Sequence, residues 1–180
     1  MEPINIIRLK DYSSEVRAAL DALDYERIIR ASEVIYGNGC DGATIWTLGN
    51  GHGASVAEAF ALDLVKHSGV NAVSMTSFPM LSAYANDHKF VDAFSLYSAR
   101  ILKAFDVLVG FTFGGSENIL SALRYLSDCF TILITSAGKG ADGIDLVINV
   151  PSHDIQVVED IWSSIGHMIA NEVKSRIENG

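Results

Sequence analysis

The stretches LGNGHGAS (48–55) and VGFTFGGSENI (109–119) both end an apolar run in glycines and then pass into a helical pattern. Glycine lets the backbone turn tightly and approach a ligand. The helix that follows offers free N–H groups and the positive end of its dipole. This is chemistry for a phosphate or another anion. In the second stretch the donors are Thr112, Ser116 and the helix N-terminus. Glu117 complicates it: a first-turn carboxylate either stabilises the helix by about 0.3–1 kcal/mol or faces the pocket and competes with the anion. The first stretch reads GxGxG rather than GxGxxG, and no acidic residue ends the next strand to take a ribose, so a nicotinamide or flavin cofactor is not expected. A tight turn without a ligand stays open for either loop taken alone.

The surrounding elements decide whether the loops meet. Residues 11–37 predict two helices, with Val16, Ala19, Leu20 and Leu23 on one stripe and Ile28, Ile29, Ser32 and Ile35 on the other; GNGCDG closes this hairpin. Short β-branched runs at 43–49, 71–77, 106–113, 129–136 and 145–150 predict five strands. Helical patterns at 51–67, 116–127 and 154–178 alternate with them, and 78–102 breaks into two helical pieces around Asn86 and Asp87. The last helix carries Ile155, Val158, Ile161, Trp162, Ile165, Ile169 and Val173 along one face. Near-continuous apolar strands alternating with helices give an α/β fold, a parallel sheet covered on both faces. Ligands then bind beyond the carboxyl ends of the strands, at 49–55, 77–81, 111–117 or 136–143.

Composition narrows the function classes. The chain has 180 residues, enough for one domain with a sizeable core. Its formal net charge of −9 makes direct nucleic-acid binding unexpected, since a phosphate-binding surface needs clustered Lys and Arg. No run approaches the ~20 apolar residues of a membrane helix, and the first residues lack a signal-like apolar core. A cytoplasmic location without membrane contact is the expectation. The two cysteines form no CxxC pair, and Cys129 reads as a small buried hydrophobe.

The segments WTLGNGHGASVAEAFALDL, YANDHKFVDAFSLY, DVLVGFTFGGSENIL and VVEDIWSSIGHMIANEV fall in an order and at separations that resemble the sugar isomerase (SIS) domain family, in particular its phosphoheptose isomerase branch. The likeness spans roughly residues 40–178. It implies a five-stranded parallel SIS sheet over 41–180, and a helical hairpin over 1–40 that packs on the core or on a partner subunit. It also implies a homotetramer with sites built between subunits and a sugar-phosphate substrate. Position by position, it implies that Asn50, Gly51, Gly53 and Ser55 of the first loop contact substrate. Thr112, Gly114, Gly115, Ser116 and Glu117 would do so in the third-strand loop, and Asp87 would lie near the sugar hydroxyls.

The same comparison implies Asp63 and His167 as catalytic residues, and Asp63, Glu159 and His167 as ligands of a divalent metal such as zinc. Here the sequence departs from the family pattern. Asp63 stands where the family has a glutamate base, one methylene longer, and ~1 Å of lost reach can cost about a hundredfold in rate. Ala59 replaces a histidine ligand, and Glu159 a glutamine. Gly53, Phe113, Gly114 and Glu117 replace hydroxyl donors of the anion cradle. His52 is the first candidate to compensate for the missing ligand, while His67 and His88 read as surface residues. The implied activity is aldose–ketose isomerisation, sedoheptulose 7-phosphate to a heptose 7-phosphate, through a cis-enediol. The departures leave two alternatives: an isomerase with an altered substrate, or a non-catalytic sugar-phosphate-binding or scaffold protein.

Overall fold

The computed structural model describes residues 6–125, 128–136 and 142–179. Five parallel strands form one sheet: β1 (Ile45–Gly49), β2 (Ala72–Ser74), β3 (Val107–Thr112), β4 (Phe130–Ser136) and β5 (Leu146–Val150), in the order β2-β1-β3-β4-β5. The helices are α1 (Ile6–Asp21), α2 (Tyr25–Cys40), α3 (His52–Asp63), α4 (Phe78–Asp87), α5 (Ala93–Ile101), α6 (Glu117–Tyr125) and α7 (Ile155–Asn179). One face of the sheet is covered by α1, α2, α3 and α7, whose Ala19, Ile35, Phe60, Ile161 and Ile165 pack with Val109, Phe111 and Ile134. The other face is covered by α5 and α6, through Phe94, Ile119 and Leu123 against Leu108 and Leu133. The α/β class and the five-stranded parallel sheet are as the sequence predicts.

The strand order fixes where a ligand can go. β2 and β3 flank β1, so the chain leaves β1 and β3 toward opposite faces of the sheet and opens a crevice between the loops that follow them. These are the two glycine loops. β1 is held in register with β3 from Ile45↔Val107 to Gly49↔Phe111, which brings the loops level.

Several boundaries differ from the sequence reading. α1 begins at Ile6 rather than near 11, and α2 runs through GNG to Cys40. There the Asn38 amide donates to the Val34 carbonyl (2.8 Å) and Gly39 lies against Val70. β2 has three residues instead of seven, because it pairs only with β1 and its chain turns at Ser77 to start α4. The helix predicted at 51–67 is α-helical only to Asp63, and Leu64–Ser68 form a π-helical turn closed by Gly69 in the left-handed region (φ 69°). The end of the helix predicted at 116–127 and most of the 136–143 turn lie outside the described residues.

Beneath the sheet, at its amino end, Asp106 is 4 % exposed. Its carboxylate accepts the backbone N–H groups of Thr44 (2.9 Å) and Lys103 (3.0 Å) and the indole N–H of Trp46 (2.9 Å). This ties β1 to the entry of β3 and so stabilises the register that levels the loops.

The helical hairpin packs on α7. Tyr12 of α1 donates its hydroxyl to Asp160 (2.6 Å), and Arg27 of α2 donates to the Val147 carbonyl of β5 (3.0 Å). Among the described residues no helix is long and apolar enough to cross a membrane.

Candidate active site

The first loop is shaped by steric necessity. A side-chain carbon on Gly49 would lie 2.4 Å from the Gly53 carbonyl, so only glycine lets β1 run directly into α3. Gly51, the residue before α3, has φ 54°, a region L-residues avoid. Gly53 is buried against Phe111 and Trp162, seating the first turn of α3 on β3 and α7.

Between this loop and the one after β3 lies a cavity of about 370 Å³. Asn50, Gly51 and His52 line one side, Thr112, Phe113, Gly114 and Ser116 the other, and Ile155, Glu159 and Trp162 of α7 the rim. The Thr112 hydroxyl accepts the Ser116 backbone N–H (2.9 Å) and lies 3.2 Å from the Ser116 hydroxyl, which folds the loop into a cradle at the start of α6. An adjoining cleft of about 410 Å³ shares His52 and Glu159 and adds Tyr12, Gln156 and Asp160. There the bond to Asp160 pushes the Tyr12 hydroxyl up to about 12, because ionisation would lose the bond and set two negative charges together.

Glu117 does not line the cavity. Its carboxylate is 64 % exposed and lies 3.4 Å from the Arg124 guanidinium, two turns along α6. The question the sequence leaves open is therefore answered: the carboxylate turns outward and is partly neutralised by its own helix.

One determinant escapes sequence reading. Asn118, 3 % exposed, makes a reciprocal amide pair with Asn50, each Nδ2 donating to the other's Oδ1 at 2.9 and 3.0 Å. The pair clamps the two loops together and uses one donor and one acceptor of each amide. A second donor on Asn50 is left for a ligand. The only available sequence signal is an asparagine in the first turn of α6.

Asp63 and His167 come together elsewhere. His167 Nε2 lies 3.4 Å from Asp63 Oδ2, in a cavity of about 240 Å³ lined by Val56, Ala59, Phe60, Ser163 and Gly166. Gly166 brings α7 close to Phe60, since a side-chain carbon there would sit 3.4 Å from its ring. Asp63 stands at the carboxyl end of α3, eleven residues from His52, so about 16 Å of helix separates the pair from the loops.

The other predicted positions are scattered. Ser55 is exposed on α3, and Asp87 is exposed at the end of α4, where it accepts from Asn86 (3.0 Å). Gly115 takes φ 74° and shapes the cradle without lining it.

The predicted metal set of Asp63, Glu159 and His167 is not assembled within the chain. Glu159 lines the loop cavity with His52, and its separation of eight positions from His167 spans about 12 Å of α7. Among the described residues no three His, Cys, Asp or Glu side chains are placed to hold a metal ion. In their cavity Asp63 and His167 give two donors and Ala59 brings none, so the predicted three-residue set is not assembled among the described residues of one chain.

No protein-family model matches the chain. It is similar to the phosphoheptose isomerase of Geobacter sulfurreducens, 29% identical over 186 residues that cover 94% of this chain and 98% of that protein. It is 30% identical to the phosphoheptose isomerase of Geobacter metallireducens over 144 residues, covering 74% and 76% of the two chains. In fold it matches the phosphoheptose isomerase structure from Neisseria gonorrhoeae with a TM-score of 0.84 over 94% of this chain and 96% of that one, at 24% identity.

Proposed function

Because the chain belongs to the phosphoheptose isomerase family, we propose that it interconverts sedoheptulose 7-phosphate and an aldoheptose 7-phosphate. The observation that carries the chemistry is the Asp63–His167 pair: a carboxylate and an imidazole 3.4 Å apart, on helices that both also reach the loop cradle. Isomerisation needs a proton moved between neighbouring carbons and another between their oxygens. Asp63, 22 % exposed, is the base: it takes the proton from C1 of the ketose, leaving the enediol, and returns it to C2. His167 serves the oxygens, donating a proton to the C2 oxygen and accepting the one on the C1 oxygen. Electrons and protons balance without an oxidant.

The phosphate is held by the cradle, through Thr112, Ser116 and the first backbone N–H groups of α6, while Asn50 and Asp87 meet sugar hydroxyls. With Glu117 turned to Arg124, the dipole end of α6 is not opposed by a pocket-facing carboxylate. Within one chain the cradle and the acid–base pair open into different cavities. Beside Asp63, Leu62 and Val65 remain 61% and 46% exposed. Both features support a site completed between copies of the chain, one supplying the cradle and another the pair, in a homotetramer.

The test is turnover of sedoheptulose 7-phosphate followed by proton NMR, with and without added zinc, alongside Asp63→Asn. An anomeric aldose signal that the variant abolishes is the expected result. Turnover retained in Asp63→Asn would overturn the assignment of the base, and absence of turnover in the unaltered protein under both conditions would overturn the activity.

A further inference from the structure

Asp63 has a second imidazole beside it. His67 Nε2 lies 3.8 Å from Asp63 Oδ1, ion-pair rather than hydrogen-bond distance, while His167 Nε2 lies 3.4 Å from Oδ2, so each carboxylate oxygen faces its own imidazole. Resting on the isomerase reading above, we propose that His67 is a positioning residue, fixing the plane of the Asp63 carboxylate for proton transfer.

The backbone places it there for a reason. Asp63 is the last α-helical residue of α3, and His67 belongs to the π-helical turn that follows. Such turns are rare and recur at functional sites. This one is anchored at both ends: Leu64 is fully buried, and the Ser68 hydroxyl donates to the Ala170 carbonyl of α7 at 3.3 Å. α7 also carries His167, so both imidazoles are referenced to the same helix.

The physical need follows from the side chain. The outer torsion of an aspartate is broad and nearly two-fold, so a carboxylate with one partner swings and exchanges its oxygens. An imidazole facing each oxygen restrains that freedom. Asp63 is 22% exposed, against 44% for His67 and 65% for His167, so the carboxylate is the sheltered member, bracketed by two more open imidazoles. An ordinary exposed pair four residues apart contributes little to stability. The expected effect is therefore on turnover and not on folding.

The experiment compares His67→Ala, His67→Gln and the neighbouring control Lys66→Ala with the unaltered protein. His67→Ala should lower kcat about tenfold, less than the hundredfold of a full ångström misplacement, with KM within about twofold. His67→Gln, which keeps an N–H donor, should recover most of the loss, and Lys66→Ala should leave kcat unchanged. An unaltered kcat in His67→Ala, a loss equally present in Lys66→Ala, or no recovery with glutamine would overturn the proposal. A second readout is independent of activity: long-range proton–nitrogen spectra of the imidazoles. Asp63→Asn should displace the resonances of both His67 and His167, and a shift confined to His167 overturns the arrangement. If the unaltered protein turns over no heptose phosphate, the isomerase reading fails while these spectra still decide the contact.

Discussion

The outward turn of Glu117 makes a quantitative prediction for Glu117→Ser. If the carboxylate faced the cradle, its removal would relieve repulsion with a bound phosphate at short range, and a tenfold or larger gain in affinity, about 1.4 kcal/mol, would follow. The structure instead shows a side chain 64% exposed and 3.4 Å from Arg124. Its field at the cradle is screened by solvent and salt and partly cancelled by the guanidinium. The expected gain in sugar-phosphate affinity is therefore less than about twofold at physiological ionic strength. What the substitution does remove is a first-turn charge worth about 0.3–1 kcal/mol and an exposed ion pair worth about 0.2–1 kcal/mol. A stability loss of roughly 1 kcal/mol is expected from the two together. Isothermal titration calorimetry with sedoheptulose 7-phosphate measures the first quantity and urea denaturation the second. A tenfold tightening with unchanged stability would refute the orientation and the reasoning built on it.

Asp106→Ala should destabilise the protein by about 3 kcal/mol or more, because two backbone N–H groups and the Trp46 indole lose their acceptor in a buried place; urea denaturation measures it. Asn118→Ala should raise KM for the sugar phosphate several-fold with a smaller effect on kcat, since Asn50 loses the amide that orients it, and steady-state kinetics separates the two. A thiol reagent at pH 8 should modify Cys40 quickly and Cys129 slowly: Cys40 is exposed, while burial first, and then Asp106 and Asp128, push the Cys129 thiol up to about 11. Raising the pH from 10 to 12 should loosen α1 from α7. The raised Tyr12 value means its contribution is complete below the unfolded value of 10 and is lost as pH rises through about 12. Tyr12→Phe should abolish that pH dependence in hydrogen exchange of α1.

Much of the fold was legible because secondary-structure period is local. Strands such as DVLVGFTF and CFTILITS are apolar throughout, as a sheet covered on both faces requires, and the alternation with helices implies parallel strands. The boundaries that failed are those set by tertiary partners: β2 shortens because it has one neighbour, and the π-turn after Asp63 is held by a bond to α7. The sequence also singled out the glycine loops by themselves, since Gly49 and Gly51 answer steric demands that few other residues meet.

What the sequence by itself determined is which chemical groups are available: two glycine loops at strand ends, a carboxylate at 63, and an imidazole at 167. Only the tertiary structure decided how they are grouped. Eight residues along a helix share a face but span about 12 Å, so Glu159 joins the loops while His167 joins Asp63. Asn118, His67 and Arg124 acquire their meaning from the partners they touch, Asn50, Asp63 and Glu117. Residue type and spacing constrain position along an element, whereas the direction of a side chain is set by the rotation of that element against its neighbours. That rotation depends on contacts between residues far apart in the chain.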